Sequence, residues 1–132
     1  MINIIYSSDK VFYPNQLRQL FLSVQWESGN YSAELPKAIN NYSTVYSAWH
    51  EEKLVGLICV MDDGYLNAYI QYLLVDPQYQ RIGIGANLIR LILIKYSKFK
   101  NLSLLSYKET VGFYKNCGFE KDDDAVAMFF NH

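Results

Sequence analysis

The segment from Val75 to Ala86 joins a strand, a turn and a glycine-rich helix start without interruption. Its residues are VDPQYQRIGIGA, and the apolar run from Ala68 to Val75 comes directly before it. That run predicts a buried strand, which ends at Asp76 because the following proline has no N–H for a sheet ladder. Apolar residues at helical spacing follow Gly85. The segment therefore predicts a strand that turns tightly into a helix.

Two glycines stand at or just before the start of this predicted helix. Gly83 and Gly85 have no Cβ, and the first N–H groups of a helix have no partner inside it. Such donors, at the positive end of the helix dipole, favour an anion such as a pyrophosphate. A P-loop fits poorly because no Lys follows the glycines, and a dinucleotide fingerprint fits poorly because Leu88 replaces its third glycine.

The pattern that fits is Gln/Arg-x-x-Gly-x-Gly/Ala after Val-Asp-Pro, with Gln80 in its first position. Downstream, the segment Val111 to Glu120 reads VGFYKNCGFE, similar to a helix that ends in Phe-Tyr-x-x-x-Gly-Phe. As a pair, these motifs resemble the GNAT superfamily of acyl-CoA N-acyltransferases. A looser resemblance, in the order of Trp26, Asp62-Asp63-Gly64 and the two motifs, links the chain to the subgroup that contains plastid arylalkylamine acetyltransferases. The motifs cover the second half of the chain, and the first half matches in layout.

The resemblance implies that the strand ending at Val75 diverges from the next strand, Leu102 to Ser106, and that the pantetheine arm of an acyl-CoA fills the cleft. It implies acetyl-CoA as the acyl donor and an N-acetyltransferase that acetylates a primary amine of a small molecule or peptide by direct attack. The alternative is a non-catalytic acyl-CoA-binding sensor or interaction module. The residues implied for the coenzyme are Leu73, Leu74, Val75, Gln80, Arg81, Ile82, Gly83, Ile84, Gly85 and Ala86.

Direct attack by an amine needs a proton acceptor and then a proton donor for the departing thiolate. Tyr114 takes the place of a tyrosine that many family members point at the coenzyme sulfur, although a core aromatic is the competing interpretation. Where the family often carries a carboxylate, this chain has Gln71 and Tyr72. Either water or a carboxylate elsewhere removes the proton. The nearest carboxylates are Asp62, Asp63 and Glu27, and Asp63 is the candidate to test, in competition with a role in an Asp-Gly turn.

Aromatic residues are numerous in the loops and the strand that face the expected acceptor position, and the chain has 12 tyrosines. Aromatic faces attract ammonium groups, so an arylalkylamine, a polyamine or a similar small amine is the expected acceptor. Packing beneath the helices is the competing interpretation for the tyrosines. The candidate substrate-binding residues are Trp26, Glu27, Tyr31 and Tyr72.

Composition limits the remaining classes. The 132 residues are 51% hydrophobic and predict one N-acetyltransferase domain over residues 1–132. A net charge of −1, from 12 basic and 13 acidic residues, indicates neither a nucleic acid nor a membrane partner. The N-terminus lacks the features of a secretion signal, so the cytoplasm is expected. His50 and His132 have no second ligand at metal spacing, and we predict no metal site.

The predicted fold is α/β (α+β), with a mixed, mostly antiparallel sheet and helices on both faces, in the order βααβββαβαββ. The last strand is expected either to be buried on both faces or to be covered by a second subunit, so a homodimer is a possible assembly. In chain order, the predicted elements are Met1–Tyr6, Pro14–Gln25, Ala33–Asn40, Thr44–Trp49, Leu54–Met61, Ala68–Val75, a helix from Gly85, Leu102–Ser106, a helix within Val111–Glu120, a strand from Phe119, and Val126–Phe130.

Overall fold

The computed structural model describes residues 2–132, and the first residue of the predicted strand Met1–Tyr6 lies outside them. Three short 3-10 turns, Glu27–Asn30, Pro77–Tyr79 and Lys108–Thr110, connect the main elements. The strands and helices are β1 (Ile5–Ser7), α1 (Pro14–Ser23), α2 (Leu35–Asn41), β2 (Thr44–His50), β3 (Lys53–Asp62), β4 (Asn67–Val75), α3 (Ile84–Lys95), β5 (Asn101–Leu104) and α4 (Val111–Asn116).

The five strands form one sheet in the order β1-β2-β3-β4-β5. The first four strands pair antiparallel, and β5 pairs parallel to β4 because α3 carries the chain back across the sheet. The predicted fold class is confirmed, and the observed order βααβββαβα matches the prediction as far as α4. None of the helices in residues 2–132 is long and apolar enough to cross a membrane.

Helices cover both faces of the sheet and create two separate cores. On one face, α3 places Leu88 and Ile92 against the sheet. On the other face, α1 and α2 contribute Leu17, Phe21 and Ile39. Because β3 is buried from both sides, it reads as a continuous apolar run rather than as an alternating one.

A β-bulge interrupts β4 in its middle. Cys59 pairs with Tyr72 and Val60 pairs with Ile70, so Gln71 has no partner opposite it in β3. A bulge of this kind shifts the alternation of side chains by one position. Ile70 accordingly packs in the α3 core, whereas Tyr72 packs in the core beneath α1 and α2.

The pairing of β4 with β5 is short. It runs from Asn67 and Asn101 to Ile70 and Leu104, and ends there. Beyond Ile70, Gln71 forms the bulge and the last four residues of β4 pair only with β3 among the described strands. This register agrees with the divergence expected from the resemblance, and it leaves one backbone edge of β4 open to a ligand.

The two predicted C-terminal strands are wrong. Residues 117–132 contain no strand, and the side chains of the run Val126–Phe130 are largely exposed, for example Met128 at 89%. Phe119 is half-buried against the α3 core without joining the sheet. Apolar and β-branched composition favours a strand only where a neighbouring strand supplies hydrogen bonds. The run finds no such neighbour within the described residues.

Candidate active site

A cavity of about 390 Å³ opens where β4 leaves the sheet and α3 begins. It lies between the diverging edge of β4, the turn Pro77–Tyr79 and helix α4. Nine of the ten residues predicted to hold the coenzyme line it, and the half-exposed Ile82 does not. Its lining consists of Leu73, Leu74, Val75, Tyr79, Gln80, Arg81, Gly83, Ile84, Gly85, Ala86, Thr110, Phe113 and Tyr114.

The first turn of α3 presents backbone donors to this cavity. Gly83 caps the helix in the left-handed conformation with φ of 92°, which glycine adopts without strain. A Cβ at Gly83 would meet no atom within 4 Å, so the space beside it is open. The N–H groups of Ile84, Gly85 and Ala86 precede the first intrahelical bond, which Asn87 makes to Gly83 (3.0 Å). These backbone groups fit the pyrophosphate of an acyl-CoA.

Gly85 allows α4 to approach α3. A Cβ at Gly85 would lie 3.1 Å from Cζ of Phe113, which is closer than ordinary packing allows. Phe113 therefore forms a wall of the cavity directly over the helix start. Sequence reasoning did not predict Phe113, Tyr79 or Thr110 as residues of this site, because all three lie outside the segment Gln80 to Ala86.

Tyr114 points into the same cavity as the predicted coenzyme residues. Its ring packs edge-on against Phe113 and Phe119, with centroids 5.2 and 6.0 Å away. Burial, and to a lesser extent Cys117, raises the pKa of the Tyr114 hydroxyl to about 12. The hydroxyl is therefore protonated at neutral pH and can donate a proton or a hydrogen bond.

A group of aromatic rings lies on the other side of β4, centred on Tyr72. Phe21, Trp26 and Tyr42 surround Tyr72 with ring centroids 5.0, 5.8 and 6.0 Å away. Tyr107, on the loop after β5, also packs near Trp26, with ring centroids 6.5 Å apart. Sequence reasoning predicted Trp26 and Tyr72 and missed Tyr107, since only the folded chain brings that loop to the first 3-10 turn.

The structure places the other two predicted acceptor residues at the edge of this aromatic group. Glu27 begins the 3-10 turn Glu27–Asn30 and is exposed. In the same turn, Ser28 shares a hydrogen bond of 2.9 Å with the Tyr72 hydroxyl. Tyr31 closes the turn and is 55% exposed. Glu27 and Tyr31 therefore flank the turn that contacts Tyr72, and both side chains face solvent.

Asp63 holds a turn at the far end of β4. Its carboxylate accepts the backbone N–H groups of Tyr65, Leu66 and Asn67 (2.9, 2.7 and 3.0 Å) and the side-chain amide of Asn67 (2.9 Å). These bonds, the one from Asn67 foremost, hold the pKa of Asp63 well below its usual range. Leu73 lies six positions after Asn67, roughly 20 Å along the strand. The structure does not bring Asp63 into the cavity.

The comparisons with known proteins agree with this geometry. A family model described as an acetyltransferase (GNAT) domain matches residues 10–128. The chloroplastic GCN5-related N-acetyltransferase 2 of Arabidopsis thaliana is 35% identical over 82 residues, which is 61% of this chain and 32% of that protein. An uncharacterized N-acetyltransferase of Pyropia yezoensis is 29% identical over 97% of this chain and 76% of its own. A GNAT-family acetyltransferase from Streptococcus pneumoniae superimposes with a TM-score of 0.82 at 27% identity, over 98% of both chains.

The Streptococcus protein thus shares the overall fold of this chain over nearly its whole length. The chain belongs to the GNAT acetyltransferase family, since the family model covers most of its length. The resemblance inferred from the two motifs is thereby confirmed. The chain spans about a third of the Arabidopsis relative, at 32%.

Proposed function

We propose that this protein is an acetyl-CoA-dependent N-acetyltransferase that acetylates a primary amine of a small molecule or peptide by direct attack. One observation carries the proposal. The open edge of β4, the start of α3 and the hydroxyl of Tyr114 share a single cavity. A strand edge, an anion site and a proton donor are together what the binding and cleavage of an acyl thioester require.

The coenzyme is held mainly by backbone groups. The free N–H groups of Ile84, Gly85 and Ala86 suit the pyrophosphate, and the positive end of the α3 dipole adds to their attraction. The unpaired edge of β4 at Leu73 offers N–H and C=O groups to the pantetheine arm. Arg81 lies in the cavity wall and supplies a positive side chain. Acetyl-CoA itself supplies an activated acetyl group as a thioester.

The chain contributes a proton donor and a backbone donor to the reaction. The Tyr114 hydroxyl is neutral and gives its proton to the departing sulfur. An N–H of the β4 edge stabilises negative charge on the thioester oxygen, an effect that is typically worth a few kcal/mol. Among residues 2–132, no Asp, Glu or His lines the cavity. We propose that water, rather than a side chain in this wall, removes the proton of the amine.

The acceptor enters along the aromatic group of Trp26, Tyr72 and Tyr107. Their faces attract the ammonium form of an amine before it loses its proton. Glu27 and Tyr31 are exposed at the two ends of the turn that follows Trp26, and they contact the outer part of the acceptor. The expected acceptors are therefore small aromatic or basic amines.

A non-catalytic acyl-CoA sensor is the second candidate. The observation in its favour is that the described part of the chain places neither a carboxylate nor a histidine in the cavity wall. A pure binder has no use for a buried hydroxyl beside the coenzyme, so Tyr114 favours the enzyme.

The compartment and the assembly are also proposals. The sequence predicts the cytoplasm, and the name of the chloroplastic Arabidopsis relative suggests a plastid as the other aqueous location. The exposed apolar side chains of Val126–Phe130 support a homodimer. Light scattering on the purified chain measures the assembly directly.

Isothermal titration of acetyl-CoA and of free CoA into the purified protein tests the proposal, followed by a panel of aryl amines, polyamines and peptides in the same cell. Binding of acetyl-CoA, followed by heat and free thiol that appear only after an amine is added, supports the transferase. Binding without turnover across the panel favours the sensor. A protein that binds neither nucleotide contradicts both proposals.

A further inference from the structure

The coenzyme cavity shares one wall with a second cavity. Tyr79 lines both, and the second cavity, of about 480 Å³, lies between α1 and the turn that joins β2 to β3. Tyr79 ends the short 3-10 turn Pro77–Tyr79, directly before the glycine segment that begins at Gln80. Its position therefore affects the shape of the coenzyme cavity and the approach to the start of α3.

Two side chains of the β2–β3 turn hold the ring of Tyr79. Nδ1 of His50 lies 2.7 Å from the Tyr79 hydroxyl, and the two ring centroids are 5.4 Å apart. Nζ of Lys53 lies 5.3 Å from the centroid of the Tyr79 ring, within the range of a cation–π contact. His50 and Lys53 are paired residues at the ends of β2 and β3, so the hairpin itself fixes the spacing between them.

The same hairpin also holds the backbone of the turn. Lys53 Nζ lies 3.3 Å from Oδ2 of Asp76, a nearly buried carboxylate whose Oδ1 accepts the N–H of Gln78 (2.9 Å). The N–H of Asp76 donates to the carbonyl of Val55 (2.9 Å). Lys53 thus contacts both the start and the end of the turn that carries Tyr79.

We propose that His50 and Lys53 are positioning residues for acyl-CoA: they hold Tyr79 as a fixed wall of the coenzyme cavity and thereby set coenzyme affinity. This inference rests on the proposed acyl-CoA site. A wall that is ordered before binding loses no side-chain freedom when the ligand arrives, and this lowers the cost of association. Neither residue lines the coenzyme cavity, so their effect reaches the ligand through Tyr79.

Four variants test the contact between His50 and Tyr79. Tyr79→Phe removes the hydroxyl and keeps the ring, His50→Phe removes the nitrogen and keeps a ring, and the double variant removes both partners. Glu52→Gln is the control, because Glu52 is exposed in the same turn and is not part of the contact. Calorimetric titration with acetyl-CoA gives Kd for each protein, and thermal unfolding without ligand gives Tm.

We expect each single variant to raise the Kd for acetyl-CoA by about three- to tenfold, while the control stays within about twofold of the wild type. The double variant should bind acetyl-CoA no more weakly than the weaker-binding single variant. Both changes break the same contact, so their effects on the affinity do not add. Tm of Tyr79→Phe should change by less than about 3 °C, which separates positioning from loss of fold.

Lys53 provides an independent arm. Lys53→Met should raise the Kd for acetyl-CoA to a similar extent. Lys53→Arg should keep the Kd near the wild-type value, because the cation above the ring is kept. This pair and Tyr79→Phe decide the matter if His50→Phe does not fold.

Two results would overturn this inference while leaving the proposed function intact. The first is an unchanged Kd for acetyl-CoA in both Tyr79→Phe and Lys53→Met, with normal binding by the wild type. The second is a double variant of His50 and Tyr79 whose loss of affinity equals the product of the two single losses. Absence of acetyl-CoA binding by the wild type overturns the proposed function, and this inference with it.

Discussion

The side-chain amide of Gln80 donates a hydrogen bond to the backbone carbonyl of Val75 (3.0 Å). This bond joins the last residue of β4 to the end of the turn Pro77–Tyr79 and so holds the connection between β4 and α3 together. Gln80 stands in the first position of the glycine motif, and its amide holds the loop in shape. We therefore expect the backbone N–H groups further along the motif to be held facing the proposed coenzyme.

Replacement of Gln80 by Ala should raise the KM for acetyl-CoA about three- to tenfold and leave kcat within about twofold. A net hydrogen bond is worth about 0.5–1.5 kcal/mol, and about 1.4 kcal/mol corresponds to a factor of ten. Steady-state kinetics measures both constants. Gln78→Ala is the matched control, since that side chain is exposed in the same turn. A KM equal to that of the wild type would mean that the loop keeps its shape without this bond.

Gly83→Val should weaken acetyl-CoA binding by tenfold or more. The substitution places a branched side chain at φ of 92°, in space that is open to the coenzyme. Gly64→Val controls for backbone strain, because Gly64 has φ of 86°, equally open surroundings and a position in the turn remote from the cavity. Calorimetry should show lost affinity only for the first variant. Equal affinities in the two variants would contradict the assigned pyrophosphate position.

Tyr114→Phe should lower kcat at least tenfold, about 1.4 kcal/mol of transition-state stabilisation, and spare the affinity for acetyl-CoA. Because burial raises the pKa of Tyr114 to about 12, the donor stays protonated across the ordinary assay range. The kcat of the wild type should therefore show no loss from this group below about pH 11. Tyr65→Phe, on an exposed loop, serves as the control. Unchanged turnover would remove Tyr114 from the mechanism.

Asp63→Asn should leave kcat and its pH profile within about twofold of the wild type, because the carboxylate acts in a turn remote from the cavity. Asp63→Ala should lower Tm, since the side chain accepts four hydrogen bonds. The depressed pKa of Asp63 means that its contribution to stability is present above about pH 4 and is lost as the pH falls further. The pH profile of kcat checks the prediction for Asp63→Asn, and thermal unfolding as a function of pH checks the prediction for stability. A large fall in kcat for Asp63→Asn would restore it as the base.

Tyr96→Phe should destabilise the fold by about 1–3 kcal/mol, because the buried hydroxyl donates to the carboxylate of Asp62 (2.6 Å) and accepts from the hydroxyl of Thr44 (2.7 Å). Burial, and then the bond to Asp62, raises the pKa of Tyr96 to about 12. A raised folded-state pKa contributes stability that is complete below about pH 10 and is lost as pH rises towards 12. Urea unfolding at pH 7 to 11.5 should therefore show a smaller alkaline loss in the variant than in the wild type. Identical pH dependence in the two proteins would exclude Tyr96 as its source.

The coenzyme side of the site follows from the sequence because its parts are contiguous. The end of β4, the turn and the start of α3 occupy the 12 residues of the segment Val75 to Ala86. The local preferences of these residues agree with each other. Tyr107 was not predicted, because its meeting with Trp26 depends on two loops far apart in the chain. The run Val126–Phe130 shows the converse, since composition favoured a strand where the fold supplies no partner.

The bulge at Gln71 divides β4 into two halves whose side chains are out of phase. Substitution at Gln71 leaves that phase intact, because the residue is exposed and has no partner opposite it. Loss of Gln71 would also preserve it, because Ile70 and Tyr72 would become consecutive residues, which face opposite sides of a strand, and would keep Val60 and Cys59 as partners. Tyr72 would remain beneath α1 and α2, and Leu73 would remain in the cavity wall. Position 71 is therefore a place where the length of β4 can change by one residue while every later side chain keeps its face.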